Sequence, residues 1–550
     1  MVEPKKHKVP CWVIYTLLFV LTLGGMALTS WNYVTGPSPH FHFIDLAESF
    51  MQGRLDTLTP HRRKEQKALP DDPQGLQEAV ARQLKTGGWN DWVSYNVAVL
   101  KSDETYMGVW PWKSRKKGQK GHKQRNDFVT LSGDWLEFDK DRDIRRVCLE
   151  QPDPKADSEA FRAFRMRDRF DAEEAVCLNP GQENFPDKYR CQKGYKRVKC
   201  LTKRHFVSFP PFPAIAMMPF VAIWHYDFND VLFTLVMAAL NAVFLFMLLR
   251  RLRGAGYSTK SDWHLLVLVF LFSFGTVNFF SAVRGSVWFT ALIIGVTMNL
   301  LYLYFATDLK NPLLAGLFLA LGVATRVPLA FACVYFGLQL VLQKASWDKD
   351  GILLRLRQGV LFAIPCLVVG AVLMAYNMAR FDSPFEFGHR YLLDGTRNSI
   401  VDHGLFSFWF LRGNLSAALT NVPQFMAEYP YVKITKHGLS LLCTTPVFFY
   451  LLWPQKKAVQ EASKGKFRVS LHTIAWISVA VVAAPGLLYQ NTGWEQFGYR
   501  FALDYLPLLI MLLAMDTRKF SKLFYALVFV AVVVNLFGAI TFVRFPQFYH

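Results

Sequence analysis

The chain has 550 residues, of which 52% are hydrophobic and 15% aromatic, and its apolar residues fall in blocks of about twenty rather than at the periods of amphipathic helices or strands. That pattern excludes an ordinary soluble enzyme and describes an all-α polytopic membrane protein. The formal net charge of +20 raises nucleic acid as a partner for a soluble protein. Here basic residues crowd the turns between apolar blocks, so a lipid bilayer is the expected partner and nucleic acid is not.

The first block, from about Cys11 to Thr29, follows Lys5, Lys6 and Lys8. Its length and the poor cleavage sequence TSWNYVTG favour a retained span over a removed signal peptide. Further spans are predicted near 229–250, 263–282, 286–306, 312–325, 327–343, 356–378, 437–453, 471–490, 501–515 and 520–541, giving about eleven. With the amino terminus in the cytoplasm, the inner segments are MVEPKKHK, RRLRGAGYSTK, TDLKN, QKASWDKDGILLRLR, QKKAVQEASKGKFR and DTRKFSK. All are rich in Lys or Arg and the short outer turns are not, which agrees with the positive-inside rule.

The domain plan is therefore a first span at 1–30, a large extracytoplasmic loop at 31–225, and a multi-span domain at 226–550. In the loop, residues 40–53 set Phe43, Ile44, Ala47, Phe50 and Met51 against Asp45, Glu48, Ser49 and Gln52, and end at Gly53. This predicts an amphipathic interfacial helix with a glycine stop. Residues 54–204 are polar and include the basic stretch KSRKKGQKGHKQR, which reads as a solvated loop or as a dock for anionic lipid or a polyanionic acceptor. Cys148, Cys177, Cys191 and Cys200 lie here, on the predicted oxidising side, and suggest two disulfides whose pairing the sequence does not fix, neighbours 148 with 177 and 191 with 200 being the favoured arrangement. A zinc site is the competing reading, although no CxxC spacing supports it. The apolar stretch at 206–224, begun by FPPFP, is too short to span and is expected to re-enter or lie at the interface.

Ionisable residues beside a membrane are costly, so their positions inform. Arg284, Arg326 and Arg500 all map to the outer side, as does Asp45. Guanidinium forks match phosphate oxygens, and a carboxylate opposite them can take a proton from an incoming hydroxyl. The set predicts transfer of a group from a membrane-soluble phosphate carrier. Blander roles stand beside this one. Each arginine can snorkel to headgroups, Arg500 can pair with Asp504 four residues on, Asp45 can be a plain polar-face residue with Glu48 as the base, and His40 and His42 can be interfacial aromatics rather than metal ligands. No metal motif is visible, so no metal or other cofactor is expected.

The order of FIDLAESFMQGRLD, WNDWVSYN, FVSFPPFPAIAMMPFVAIW, FNDVLFTLVMAALNAVFLFMLLRRL, FFSAVRGSVWF, LALGVATRVPLA, YNMARFDSPFEFGHRY and GWEQFGYRFALDYLP resembles a branch of the GT-C membrane glycosyltransferases. The likeness is to bacterial members related to protein mannosyltransferases and aminoarabinose-to-lipid-A transferases. It leaves out about residues 101–204, which look inserted. The resemblance implies a bacterial inner-membrane protein whose large loop faces the periplasm or exterior, a polyprenyl-phosphate sugar donor, and a glycan, lipid or protein acceptor. It implies Asp45 as base, and Arg326 and Arg500, with Arg284, at the donor phosphate. Possible substrate contacts are Glu48, His42, Tyr95, Asn96, His389 and Arg390, with Trp89 and Trp92 along the sugar path. The Asp-Glu pair of the mannosyltransferase branch is replaced by Asp45-Leu46. Two other classes remain: a lipid or glycolipid transporter, and a noncatalytic scaffold on the same fold whose inserted subdomain binds a partner.

Overall fold

A computed structural model describes residues 10–55, 207–344, 347–381, 384–385, 387, 403–453 and 465–549, together with the backbone of strands at 92–99, 105–106, 129–132, 135–138 and 201–206. The chain forms two compact units. One comprises Met1–Ser38, Asp227–Gly370 and Leu405–His550, and the other comprises Pro39–Tyr226 and Ala371–Gly404.

The first unit is helical and membrane-like. Among the described residues six helices are long and apolar enough to cross a bilayer: Cys11–Tyr33, Asp230–Gly254, Val287–Leu309, Lys349–Arg380, Leu471–Leu488 and Lys522–Thr541. All six coincide with predicted spans, and Lys349–Arg380 extends its prediction at both ends. The other five blocks are interrupted or short. The 263–282 block is a helix Asp262–Phe274 and a turn of helix Asn278–Ala282, and between them the Gly275 carbonyl accepts the Thr445 hydroxyl at 2.9 Å. The 437–453 block is a short helix Leu441–Thr444 followed by a 3-10 segment Pro446–Leu452, because Pro446 has no N–H to continue the ladder. The 327–343 block joins a 3-10 segment Val327–Ala332 to a helix Cys333–Leu342, and the 501–515 block joins Arg500–Asp504, also 3-10, to Leu506–Met515. The 312–325 block is the twelve-residue helix Pro312–Val323.

Local chemistry explains the long helices. Asp230–Gly254 starts at Asn229, whose side chain accepts the Leu232 N–H at 2.9 Å, and it carries Asp230 in its first turn and Arg251 and Arg253 in its last. Asp230 also accepts the backbone N–H and the hydroxyl of Ser38, each at 2.5 Å. Where there is no hydrophobic drive between helices, buried polar pairs hold them together. Thr234 shares a hydrogen bond with Thr290 at 2.7 Å, Asn241 donates to the Ile293 carbonyl at 3.1 Å, and Tyr302 donates to that of Ala332 at 2.7 Å. The helix that takes part in all three, Val287–Ala306, is the most deeply buried of the long ones among the described residues.

Close approach of backbones marks one contact in particular. A Cβ at Gly316 would stand 2.1 Å from the Phe362 carbonyl oxygen and 2.8 Å from the Pro365 ring. Gly316→Ala is therefore expected to part the helices Pro312–Val323 and Lys349–Phe381 and to cost about 1–3 kcal/mol or more. The check is thermal unfolding in detergent beside Gly337→Ala, whose Cβ meets nothing within 4 Å and should be neutral or slightly stabilising.

The second unit contains the predicted interfacial helix, seen at His42–Met51. Its stop is as expected: Gly53 has φ +69°, and the Arg54 N–H returns to the Ser49 carbonyl at 2.8 Å. Its faces are not. Asp45, expected on the polar side, is 1% exposed, whereas Met51, expected on the apolar side, is 38% exposed. The 206–224 stretch contains the helix Phe212–Trp224, begun by Pro211 and Pro213 and too short to span. The strand Trp92–Val99 pairs antiparallel with Leu201–Val207, from Trp92 opposite Val207 to Ala98 opposite Leu201. The bases of the predicted insertion are thus joined by a ladder, and its later boundary falls inside a strand. The sequence reading also missed that residues 371–404 belong to this unit. Within it Arg380 donates to the Val207 carbonyl at 3.0 Å and to the Asn377 side chain at 2.9 Å, and lies 3.7 Å from the Tyr376 ring centroid.

Candidate functional site

The carboxylate side of the predicted chemistry lies in the second unit. Asp45 sits in the first turn of His42–Met51, where the helix dipole favours a negative charge. Tyr226 donates its hydroxyl to Asp45 Oδ1 at 3.0 Å. Burial, reinforced by the Asp45 carboxylate, holds the Tyr226 phenol well above its ordinary range, so Tyr226 remains a donor. One turn on, Glu48 Oε1 meets His225 Nδ1 at 2.7 Å, with the His225 side chain 65% exposed. His42 packs edge-on against Phe209, with centroids 5.7 Å apart, which is an aromatic contact of the bland kind. The two carboxylates are thus differentiated: one is buried with a phenol donor, the other is paired with an exposed imidazole. Asp45 is the better placed to hold a fixed orientation.

The cationic side lies in the first unit. Arg326 precedes the Val327–Ala332 segment in an extended conformation, with its stem along Gly295. It forms a two-pronged ion pair with Asp504, Nε to Oδ1 at 2.7 Å and Nη2 to Oδ2 at 2.8 Å. Arg500 with Asp504 is the local alternative in the sequence, and the partner seen on Asp504 is Arg326. A 3-10 turn has three residues per turn, so positions 500 and 504 do not align as they would on an α-helix. Arg500 is buried, and its guanidinium carbon stands 5.0 Å from the Phe289 centroid and 5.8 Å from that of Phe501. Arg326 stands 5.8 Å from the same Phe501 ring. Arg284 faces Tyr33 at 5.4 Å and Phe542 at 5.5 Å, and Phe542 is 6.0 Å from Phe289. The three predicted arginines are therefore strung along one row of aromatic rings, which can offset charge in a dry setting.

Asp45 and the three arginines belong to different units. His389, Arg390, Trp89 and the cysteines Cys148, Cys177, Cys191 and Cys200 lie outside the described residues, as do the side chains of Tyr95, Asn96 and Trp92. The four described cysteines, Cys11, Cys333, Cys366 and Cys443, form no disulfide. Among the described residues no cluster of His, Cys, Asp and Glu is arranged to hold a metal ion. The sequence reading missed Tyr226, His225, Asp504 as the partner of Arg326, and Arg544 beside Arg284. Only adjacency to a span end distinguished Tyr226 and Arg544 in the sequence. No family model matches this chain, and no curated protein or solved structure matches it either.

Proposed function

We propose that this chain is a GT-C-type glycosyltransferase of a bacterial inner membrane, with about eleven membrane passes and its large loop on the extracytoplasmic side. It moves a sugar from a polyprenyl-phosphate donor to a cell-envelope acceptor. Asp45 Oδ takes the proton of the acceptor hydroxyl as that oxygen bonds to the anomeric carbon. The bond from that carbon to the phosphate oxygen breaks, and polyprenyl phosphate leaves with the electron pair. Arg500 and Arg326 stabilise the charge that grows on the leaving phosphate. Direct displacement of this kind inverts the anomeric centre.

The observation that carries the reading is the setting of Asp45: a buried carboxylate at a helix start, steered by the Tyr226 hydroxyl. In the other unit, Arg500 and Arg326, which the resemblance sets at the donor phosphate, are lined by aromatic rings. Membranes containing the chain, given a labelled polyprenyl-phosphate sugar, should pass label into a lipid, glycan or protein fraction and release polyprenyl phosphate. Membranes with Asp45→Asn should not. Equal label transfer by the two would refute the assignment, and label that crosses the bilayer still attached to its carrier would point to a transporter instead.

A further inference from the structure

Away from Asp504, the first unit holds a second cationic centre. The turn Val283–Ser286 meets the C-terminal ends of the first and last long helices. Ser30 donates to the Val283 carbonyl at 2.8 Å, and Arg544 donates to the carbonyls of Thr29 and Ser30 at 3.0 and 2.5 Å. Arg544 also reaches the Ala539 and Ile540 carbonyls, both at 3.3 Å, so its charge is engaged by the negative ends of two helix dipoles. Its guanidinium lies 4.7 Å from the Tyr33 centroid, and Arg284 faces the same ring at 5.4 Å.

Arg284 has no such use. Its Nε and Nη1 are sealed from solvent and have no hydrogen-bond partner among the described residues. Burial lowers its pKa and Arg544 adds to this, yet a guanidinium does not give up its proton in a protein. Glu495 attracts it weakly, but that carboxylate is 64% exposed and is met by Lys436 at 3.4 Å. Two sealed donors without acceptors are unfavourable, and an apolar side chain would fill the same space without that cost, whereas Arg284 as a whole is only half-buried, so its third nitrogen, Nη2, is left to meet the surface. The backbone that carries Arg284 is fixed. Gly285 has φ +61°, and a Cβ there would stand 2.4 Å from Val231 Cα, so the turn is pinned to the Asp230–Gly254 helix. An anion brought from outside would resolve the imbalance. Four exposed apolar side chains on these same segments suggest its source: Leu28, Trp31, Val543 and Phe545.

We propose that Arg284, backed by Arg544 and walled by Tyr33 and Phe542, binds the phosphate of an anionic membrane lipid whose acyl chains lie along Leu28, Trp31, Val543 and Phe545. The guanidinium charge, its open Nη2 edge and a second cation beside it suit a phosphate oxygen, and the apolar side chains suit a tail. This inference goes beyond the transfer reading and does not need it.

The full-length chain, delipidated in neutral detergent, is titrated with phosphatidylglycerol, with diacylglycerol and with inorganic phosphate, and binding is followed by native mass spectrometry and by the unfolding temperature. Phosphatidylglycerol should bind and raise the unfolding temperature, whereas diacylglycerol and inorganic phosphate should not. Arg284→Met should weaken the phosphatidylglycerol interaction about tenfold or more, and Arg284→Lys, which keeps the charge, should retain part of it. Without lipid, Arg284→Met should melt at or above the wild-type temperature, because it removes two sealed donors that have no acceptor among the described residues. No binding by the wild type, or equal binding by Arg284→Met, would overturn the site. Equal stabilisation by inorganic phosphate would overturn its assignment to a lipid.

Discussion

Asp45→Asn is expected to lower kcat for sugar transfer by about 10²–10⁴-fold while leaving KM for the donor within about twofold. The substitution is nearly isosteric. Its Oδ1 can still accept the Tyr226 hydroxyl that Asp45 Oδ1 accepts at 3.0 Å, so the helix His42–Met51 should keep its place. What disappears is the proposed proton acceptor, along with a favourable charge at a helix start that contributes about 0.3–1 kcal/mol to stability. The conjunction of a large kcat loss with an unchanged donor KM separates a base from a binding group. Arg500→Gln should instead raise the donor KM and lower kcat together, because a guanidinium that holds the phosphate in the ground state and meets more charge on it in the transition state contributes to both. Glu48→Gln serves as the comparison: its partner His225 is exposed, and the change should alter kcat by less than about tenfold. Should Glu48→Gln silence the enzyme and Asp45→Asn spare it, the two carboxylates have been assigned in reverse.

Asp504→Asn should be the most damaging substitution for stability in the membrane unit, at about 3–5 kcal/mol. Asp504 is 6% exposed and meets Arg326 through two nearly parallel bonds, so its neutralisation leaves a guanidinium buried without its partner. The double variant Arg326→Met with Asp504→Leu should recover most of that loss, since replacing both members with apolar groups of similar size removes the desolvation cost together with the attraction. Unfolding temperatures of the two single variants and the double variant in one detergent form the cycle. Sugar transfer measured on the same three proteins adds a second axis: a double variant that is stable yet inactive would mark Arg326 as a donor contact, whereas one that is stable and active would confine Arg326 to a structural pair.

The six long helices were readable because hydropathy over about twenty residues is a property of the local sequence, and a bilayer leaves a helix few alternatives. The interruptions carried local signals as well, Gly275, Pro446 and Pro507 among them, but a window of span length averages over a single glycine or proline. The glycine stop at Gly53 was readable for the same reason that it works, namely backbone freedom at positive φ. The partner of Arg326 was not readable. It lies 178 positions along the chain, and a nearer arginine, Arg500, offered a plausible local alternative. The burial of Asp45 was hidden for a related reason: periodicity assigns a face from neighbouring residues and is blind to what packs on the polar side.

The antiparallel ladder between Trp92–Val99 and Leu201–Val207 makes a further feature of the chain separable. Because Ala98 and Leu201 already face each other, the stretch from 100 to 200 leaves and rejoins the protein through two neighbouring backbones, like a sleeve, and near its start Thr105–Tyr106 pairs with Ala98 and Val99. An Asn-Gly link in place of residues 99–200, joining Ala98 directly to Leu201, would close a two-residue hairpin on this ladder. Trimmed in this way, the chain should still insert and fold, and any substrate preference that vanished with the sleeve would belong to the sleeve alone.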